Sequence, residues 1–415
     1  MKRLVFRRIR SLILLLSALS ILLPAGPCMG AAVPERVPVG RAVSAFGFDV
    51  FREAGKPGEN LLVSPYSLAT ALAMVRAGSQ GRTFVQMDAA LRLAGIGAVD
   101  RGFAALQDSL QTTVSVVGRP SNTIRVTNGV WVDAGFPILP GFRQTAEGPY
   151  TARVTAADFR RRPEPTRVEV NGWVADQTEG KIKDLIPAGG VTDLTRLLLV
   201  NALYFKNAWE KPFDRAATSD EAFFLQGTQE ASVPTMHLRR LFLYGASESL
   251  QLLQMRYESG DTSMWIVLPK QRDGLLGVES WLTADRLEAL VRDAAMQDVA
   301  VALPKFTFRS TFALAKTLTA LGMRDAFDGH ADFSALSTSK ELCLSEVYHQ
   351  TFVDVTEHGT EAAAATAASM SLAMAMPRER PNPIPFVADH PFLVFIRHDP
   401  SGAILFQGRV TNPRP

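Results

Sequence analysis

From Glu357 to Met376 the chain reads Glu-His-Gly-Thr-Glu-Ala-Ala-Ala-Ala-Thr-Ala-Ala-Ser-Met-Ser-Leu-Ala-Met-Ala-Met, and no other stretch limits the fold so tightly. Between Ala362 and Pro377 there is no charge and no aromatic or bulky β-branched side chain. Alanine is the best helix former, so a surface helix with Thr360 near its N-cap is one reading. A membrane span is a second, but the run is too short and too alanine-rich for it. The third is a segment poised between conformations. Small side chains let it wait as an exposed loop and later slip between two existing strands. The flanking sequence decides for the third.

Residues 1–32 read as a secretory leader rather than as structure. Lys2, Arg3, Arg7, Arg8 and Arg10 form its basic start, Leu12 to Leu23 its apolar core, and Cys28-Met-Gly-Ala-Ala its small-residue exit. An apolar run this short, followed by proline and small residues, favours cleavage over a membrane anchor. Pro27 before Cys28 argues against a lipoprotein. Cleavage takes five of the 44 Lys+Arg and none of the 41 Asp+Glu, so the formal charge moves from +3 to −2. A nearly neutral chain without a basic face excludes a nucleic-acid partner. Arg160-Arg161-Arg162 sits in a proline-punctuated turn and reads as a solvated loop. The expected mature protein is secreted (extracellular or periplasmic), not membrane-bound, and monomeric.

Only Cys28 and Cys343 are present, so the mature chain has no internal disulfide. Cys343 alternates with Leu342 and Leu344 and reads as a small buried hydrophobe in a strand. No Asn-x-Ser/Thr glycosylation acceptor occurs. The chain has no Gly-x-Ser-x-Gly elbow, no His-Glu-x-x-His, no phosphate-cradling glycine loop and no Cys-x-x-Cys. Ser337-Thr-Ser-Lys340 matches Ser-x-x-Lys but precedes a strand-like run instead of opening a helix. The six histidines, at 237, 330, 349, 358, 390 and 398, lack metal-ligand spacing. An enzyme, a metal and a cofactor all lack residues to rest on.

Ala31 to Pro38 reads as a frayed lead, and Arg41 to Glu53 has helical spacing at Val43, Phe46 and Val50. Asn60 to Val63 is a short buried strand. Ser64 as N-cap and Pro65 at the first helical position then open a helix closed by Gly78-Ser-Gln-Gly. Further helices are expected at Gln86–Leu93, Phe103–Thr112, Val168–Lys183 and Thr311–Leu321. Strands are expected at Thr123–Val132, Leu197–Phe205, Leu250–Arg256, Ser263–Leu268 and Val299–Phe308. Phe392–His398 and Ala403–Val410 flank Asp399-Pro-Ser-Gly as a hairpin. Composition, 47% hydrophobic and 20% charged, is that of a globular chain, and one α+β domain accounts for it.

Several segments, in this order, resemble a serpin from about Val43 to Pro413. They are Ser64-Pro-Tyr-Ser67-Leu-Ala-Thr-Ala-Leu-Ala-Met, Asn171-Gly-Trp-Val, Thr178-Glu-Gly-Lys-Ile-Lys-Asp-Leu and Val200-Asn-Ala-Leu-Tyr-Phe-Lys-Asn-Ala-Trp209-Glu-Lys-Pro-Phe. Ser263-Met-Trp-Ile-Val-Leu-Pro, Leu321-Gly-Met, Asp325-Ala-Phe, Ala331-Asp-Phe-Ser and Asp389-His-Pro-Phe-Leu-Val-Phe-Ile complete the set, with the alanine-rich stretch between the last two.

The resemblance implies one α+β serpin domain over 33–415, with a large central mixed β-sheet, flanking helices and an exposed reactive-centre loop at about 357–385. It implies a suicide-substrate inhibitor of serine proteases. The protease attacks the loop, and the loop inserts as an extra strand while still holding the acyl-enzyme. The alternatives are a non-inhibitory binding or storage protein of the same fold, or an inhibitor of a cysteine protease. The hinge would comprise Glu357, Gly359, Thr360, Glu361, Ala362, Ala363, Ala364, Ala365 and Thr366. In a strand, Thr360, Ala362, Ala364, Thr366 and Ala368 share one face, small and uncharged, which suits insertion into a packed sheet. Ser64, Ser67, Asn201 and His349 match the family's buried polar shutter, and Trp209 its tryptophan where insertion starts. Counting from Glu357 puts the reactive bond at Ala373-Met374, with Leu372, Met376 and Arg378 as alternatives. Apolar residues there suit an elastase-, chymotrypsin- or subtilisin-like protease, whereas Arg378 would suit a trypsin-like one.

Overall fold

Ser64 starts the helix on which both large sheets are assembled. The computed structural model describes residues 34–111, 115–116, 119–120, 122–225, 229–339, 341–360 and 382–414. After α1 (Arg36–Ala54), the Ser64 hydroxyl oxygen accepts the Ser67 N–H and Pro65 opens α2 (Pro65–Ala77). Pro65 to Val75 are buried without interruption, as befits a helix apolar on every side and packed between layers. Then follow α3 (Gly81–Ala90), α4 (Val99–Gln111), α5 (Pro140–Glu147) and α6 (Pro163–Gln177). Farther along lie α7 (Leu275–Trp281), α8 (Ala284–Asp293) and α9 (Ala315–Ala320).

A nine-stranded sheet runs β1 (Leu61–Val63), β17 (Ala403–Val410), β16 (Phe392–His398), β10 (Thr262–Pro269), β9 (Leu250–Arg256), β8 (Glu230–Ala246), β11 (Ala295–Pro304) and β15 (Ile384–Val387). β7 (Ser219–Phe224) pairs with β8 beside it. The six-stranded sheet runs β12 (Phe306–Ala313), β13 (Leu344–Thr356), β14 (Gly359–Thr360), β6 (Leu197–Ala208), β4 (Asn122–Asp133) and β5 (Arg153–Ala157). A two-stranded hairpin joins β2 (Ser115–Val116) to β3 (Arg119–Pro120).

β6 explains the near-continuous apolar run seen in the sequence. Leu197, Leu199, Leu203 and Phe205 join the core that contains α2, whereas Leu198, Val200 and Ala202 join a second core with Val170 and Val174 of α6. A strand buried on both faces has no polar alternation to show. It pairs antiparallel with β4 from Val132 to Asn122.

Several expected boundaries move. The supposed frayed lead is already helix from Arg36. Helix α6 starts at Pro163 and ends at Gln177, so it lies earlier than Val168–Lys183. Pro163 and Pro165 fit its first turn, where a missing N–H costs nothing. At its end the Thr178 hydroxyl donates to Val174 O and accepts from Ile182 N–H, turning the chain before Lys183. The strand expected at Val299–Phe308 is two: the chain changes sheets at Lys305, between β11 and β12. Consequently β12 runs to Ala313, paired with β13, and only Ala315–Ala320 of the helix expected from Thr311 forms. Cys343 precedes β13 and is half-buried rather than buried. Burial still raises its thiol above the ordinary value. The leader and most of the alanine-rich stretch, residues 361–381, lie outside the described residues. No helix among the described residues is long and apolar enough to cross a membrane.

Two helical glycines give a test with opposite signs. A Cβ on Gly47 of α1 would lie 2.4 Å from the Pro65 ring, whereas one on Gly172 of α6 would meet nothing within 4 Å. Gly172→Ala should therefore stabilise by about 0.5–1 kcal/mol through helix propensity. Gly47→Ala should destabilise by about 1–3 kcal/mol through overpacking, against its propensity. Urea midpoints of the two variants check both, and equal upward shifts would refute the packing assignment.

Candidate functional site at the fork of the central sheet

β6 and β13 run parallel and pair directly from Leu197/Leu344 to Leu203/Thr351. Beyond that they part, and β14 lies between them, antiparallel to both. Thr360 faces Val355 on one side and Asn207 on the other, and Gly359 faces Thr356 and Ala208. Only a glycine fits there. Gly359 has φ +148°, and a Cβ would lie 2.2 Å from the Asn207 carbonyl oxygen.

Thr360 is 1% exposed, and its hydroxyl shares a 2.7 Å hydrogen bond with the buried Tyr257 hydroxyl, 103 residues away. Burial drives the Tyr257 phenol far above its ordinary pKa, so this contact stays neutral. The Tyr257 ring stacks on Trp209 at 4.6 Å and 11°. Trp209 in turn donates its backbone N–H to His358 O and its indole N–H to Thr356 O, both at 2.9 Å. Trp209 therefore grips the turn that delivers Gly359 into the fork.

Glu357 is the charged member. Its carboxylate meets the Lys305 ammonium at 3.0 Å and accepts the Thr218 hydroxyl at 3.1 Å. Burial works to raise this carboxyl, but its own backbone N–H, Lys305 and Thr218 together hold it below the usual carboxylate range. Lys305 occupies the step between sheets, so the ion pair ties the base of the loop to the point where β11 becomes β12.

Below the fork, Ser64, Ser67, Asn201 and His349 come together. The Ser64 N–H donates to His349 Nε2 at 3.1 Å, which leaves the ring proton on Nδ1 to donate to Asn201 Oδ1 at 3.0 Å. Asn201 Oδ1 also accepts the Ser67 hydroxyl at 2.6 Å. Its amide donates to Ser67 O at 2.9 Å and Asn128 Oδ1 at 2.8 Å. Asn201 thus uses two acceptor and two donor positions. The Ser64 hydroxyl donates to Leu405 O at 2.6 Å, linking the cluster to the nine-stranded sheet. His349 is fully buried among these neutral groups, and burial lowers its pKa to about 3.

Of the residues expected from sequence, the structure joins Glu357, Gly359, Thr360 and Trp209 at the fork, and Ser64, Ser67, Asn201 and His349 below it. Glu361, Ala362, Ala363, Ala364, Ala365, Thr366, Leu372, Ala373, Met374, Met376 and Arg378 lie outside the described residues. Sequence reasoning missed Tyr257, Thr218, Lys305 and Asn128. Lys305, the lone charge in an apolar run, carried a usable signal; Tyr257 sits in a polar turn whose partner no local pattern names. Among the described residues no group of His, Cys, Asp and Glu is arranged to hold a metal ion.

The two deeply buried neutral histidines predict a pH response. His349 falls to about 3 and His398 to about 4, both through burial first, whereas each titrates near 6.5 when unfolded. The unfolded chain therefore gains protons that the native state refuses. Stability should be constant above about pH 6.5 and fall as pH drops, by up to about 1.4 kcal/mol per pH unit for each histidine. Urea midpoints from pH 7.5 to 4.5 check this, and His349→Gln should halve the slope.

Comparison with known proteins bears on the same residues. The family described as Serpin (serine protease inhibitor) matches residues 41–413. The leukocyte elastase inhibitor of Bos taurus is 38% identical over 382 residues, covering 90% of this chain and 98% of the relative. Serpin48 of the insect Tenebrio molitor matches in structure with a TM-score of 0.78 and 32% identity, covering 90% of this chain and 98% of that one. Uncleaved ovalbumin matches with a TM-score of 0.80 and 26% identity, covering 90% of this chain and 100% of its own.

Proposed function

We propose that this chain, which belongs to the serpin family, is a suicide-substrate inhibitor that traps a serine protease by inserting residues from Glu361 onward between β6 and β13. The observation that supports this most is the fork itself. β14 already lies antiparallel to both strands, so its continuation has two waiting edges once the parallel pair below it separates. Insertion would replace one parallel ladder by two antiparallel ones, which pair slightly better per residue.

The chemistry is that of an interrupted hydrolysis. The protease serine oxygen attacks the Ala373 carbonyl carbon, the bond to Met374 breaks, and the Met374 amine leaves with a proton. The remaining ester links the enzyme to a loop that is now free at its new end. Insertion then carries the ester away from the bait position before water completes the reaction. The apolar residues Leu372, Ala373, Met374 and Met376 support an elastase-, chymotrypsin- or subtilisin-like target, as does similarity to proteins named leukocyte elastase inhibitor. Arg378 precedes Glu379 and would serve a trypsin-like enzyme. The basic, apolar and small-residue blocks of residues 1–32 support export of the domain spanning 33–415 to an extracellular or periplasmic space.

Mixing residues 33–415 with elastase, subtilisin, chymotrypsin and trypsin should give a covalent band on a denaturing gel with at least one apolar-pocket enzyme. The released peptide should begin at Met374. Thr360→Arg should be cleaved at the same bond without forming the band, because arginine at a 1% exposed site would bury an unpaired charge. Loop cleavage of the parent by every enzyme with full retention of protease activity would defeat the inhibitor reading.

A further inference from the structure

We propose that the groove beside Trp209 binds a small amphipathic anion: an apolar chain or ring carrying one carboxylate. The groove measures about 700 Å³, inside the range of about 300–1,000 Å³ typical of small-molecule sites. Leu241 and Leu243 of β8, Met255 of β9 and Met296 of β11 give it an apolar lining. Leu241 is 66% exposed and Met296 57%, so large hydrophobic side chains from two adjacent strands stand in solvent along it. Methionine adapts to varied apolar shapes, which suits a site for flexible chains.

The charges decide the sign of the ligand. Both acidic residues lining the groove are already matched, Asp298 by Arg239 at 2.7 Å and Glu210 by Arg256 at 3.6 Å. Arg240 and Lys211 remain, exposed and with no carboxylate partner among the described residues. An apolar lining edged by two unmatched cations is complementary to one compact anion with an apolar body. A polyanion would leave that lining unfilled, and an apolar cation would be repelled.

The same wall holds Trp209, which grips the turn before Gly359 through His358 O and Thr356 O. Glu210 N–H also donates to Arg256 O at 3.0 Å, tying groove and fork in one ladder. An occupant would order this segment and slow its local opening. The site does not depend on whether the loop traps a protease.

Calorimetric titration of the full folded chain with decanoate, below its micelle concentration, tests the proposal beside decyltrimethylammonium and decyl maltoside. Saturable decanoate binding is expected, with the cation not binding and the neutral detergent binding more weakly. Lys211→Glu with Arg240→Glu should weaken decanoate roughly tenfold or more, and far-ultraviolet circular dichroism verifies that the variant is folded. Met296→Ser, which removes apolar lining without changing any charge, should also weaken it. Hydrogen exchange in a peptide spanning 205–213 should slow when decanoate is bound. No saturable binding, equal binding of the cation, charge-reversed affinity within a factor of about two, or unchanged exchange would each overturn the proposal.

Discussion

A buried amide, added to a parallel backbone ladder, joins the two middle strands of the central sheet. Asn201 on β6 accepts a hydrogen bond from the His349 ring N–H on β13 and, from the same side chain, bonds to α2 and β4. The two strands thus meet twice, through their parallel backbone ladder and through this side-chain bridge. Everything on the loop side depends on it. Were β6 and β13 paired along their whole lengths, there would be no fork, and Gly359 would have no slot. Were they unpaired at Asn201, the slot would extend through the sheet.

The neutrality of the cluster is part of how it works. A charge at this depth would be trapped on whichever strand carried it, costing several kcal/mol when the partner moved away. Neutral hydrogen bonds can be exchanged for others at about 1 kcal/mol each. The imidazole is a suitable bridge because one nitrogen accepts from Ser64 and the other donates to Asn201, with no ion formed. Glu357 shows the opposite solution where nothing on the proposed path has to move. It is ionised, clamped by Lys305, and sits just outside the fork.

Much of this was legible in sequence because the decisive elements are local. Ser64-Pro65 announces its cap, β6 its two-sided burial, and the closing hairpin its turn. What stayed hidden was hidden by distance or by symmetry of pattern. Tyr257 and Thr360 form one contact across 103 residues of chain. β8, 17 residues long, alternates poorly because its second half, from Leu241 onward, leaves large side chains half-exposed on the groove. The apolar run through Lys305 reads as one strand because a change of sheet leaves no mark except the charge itself. The bait residues could be named from the loop's composition, but nothing local fixes their register.

The fork also locates the barrier on the proposed path. Inserting a strand normally begins with an unfavourable step, in which a flexible segment is ordered before any ladder rewards it. Here that step is already complete: Gly359 and Thr360 are ordered, paired on both sides, and Thr360 is bonded to Tyr257. Each further pair of residues would then repeat a geometry that exists. Small side chains on the Thr360 face keep the cost of each step low, since period-two alternation sends the same face inward every time. Resistance therefore concentrates at the first place where the waiting strands are joined, the Thr351–Leu203 end of the parallel ladder, and peaks at His349–Asn201. On the proposed path the mouth of the sheet would set the direction of insertion, and the buried amide below would oppose its advance.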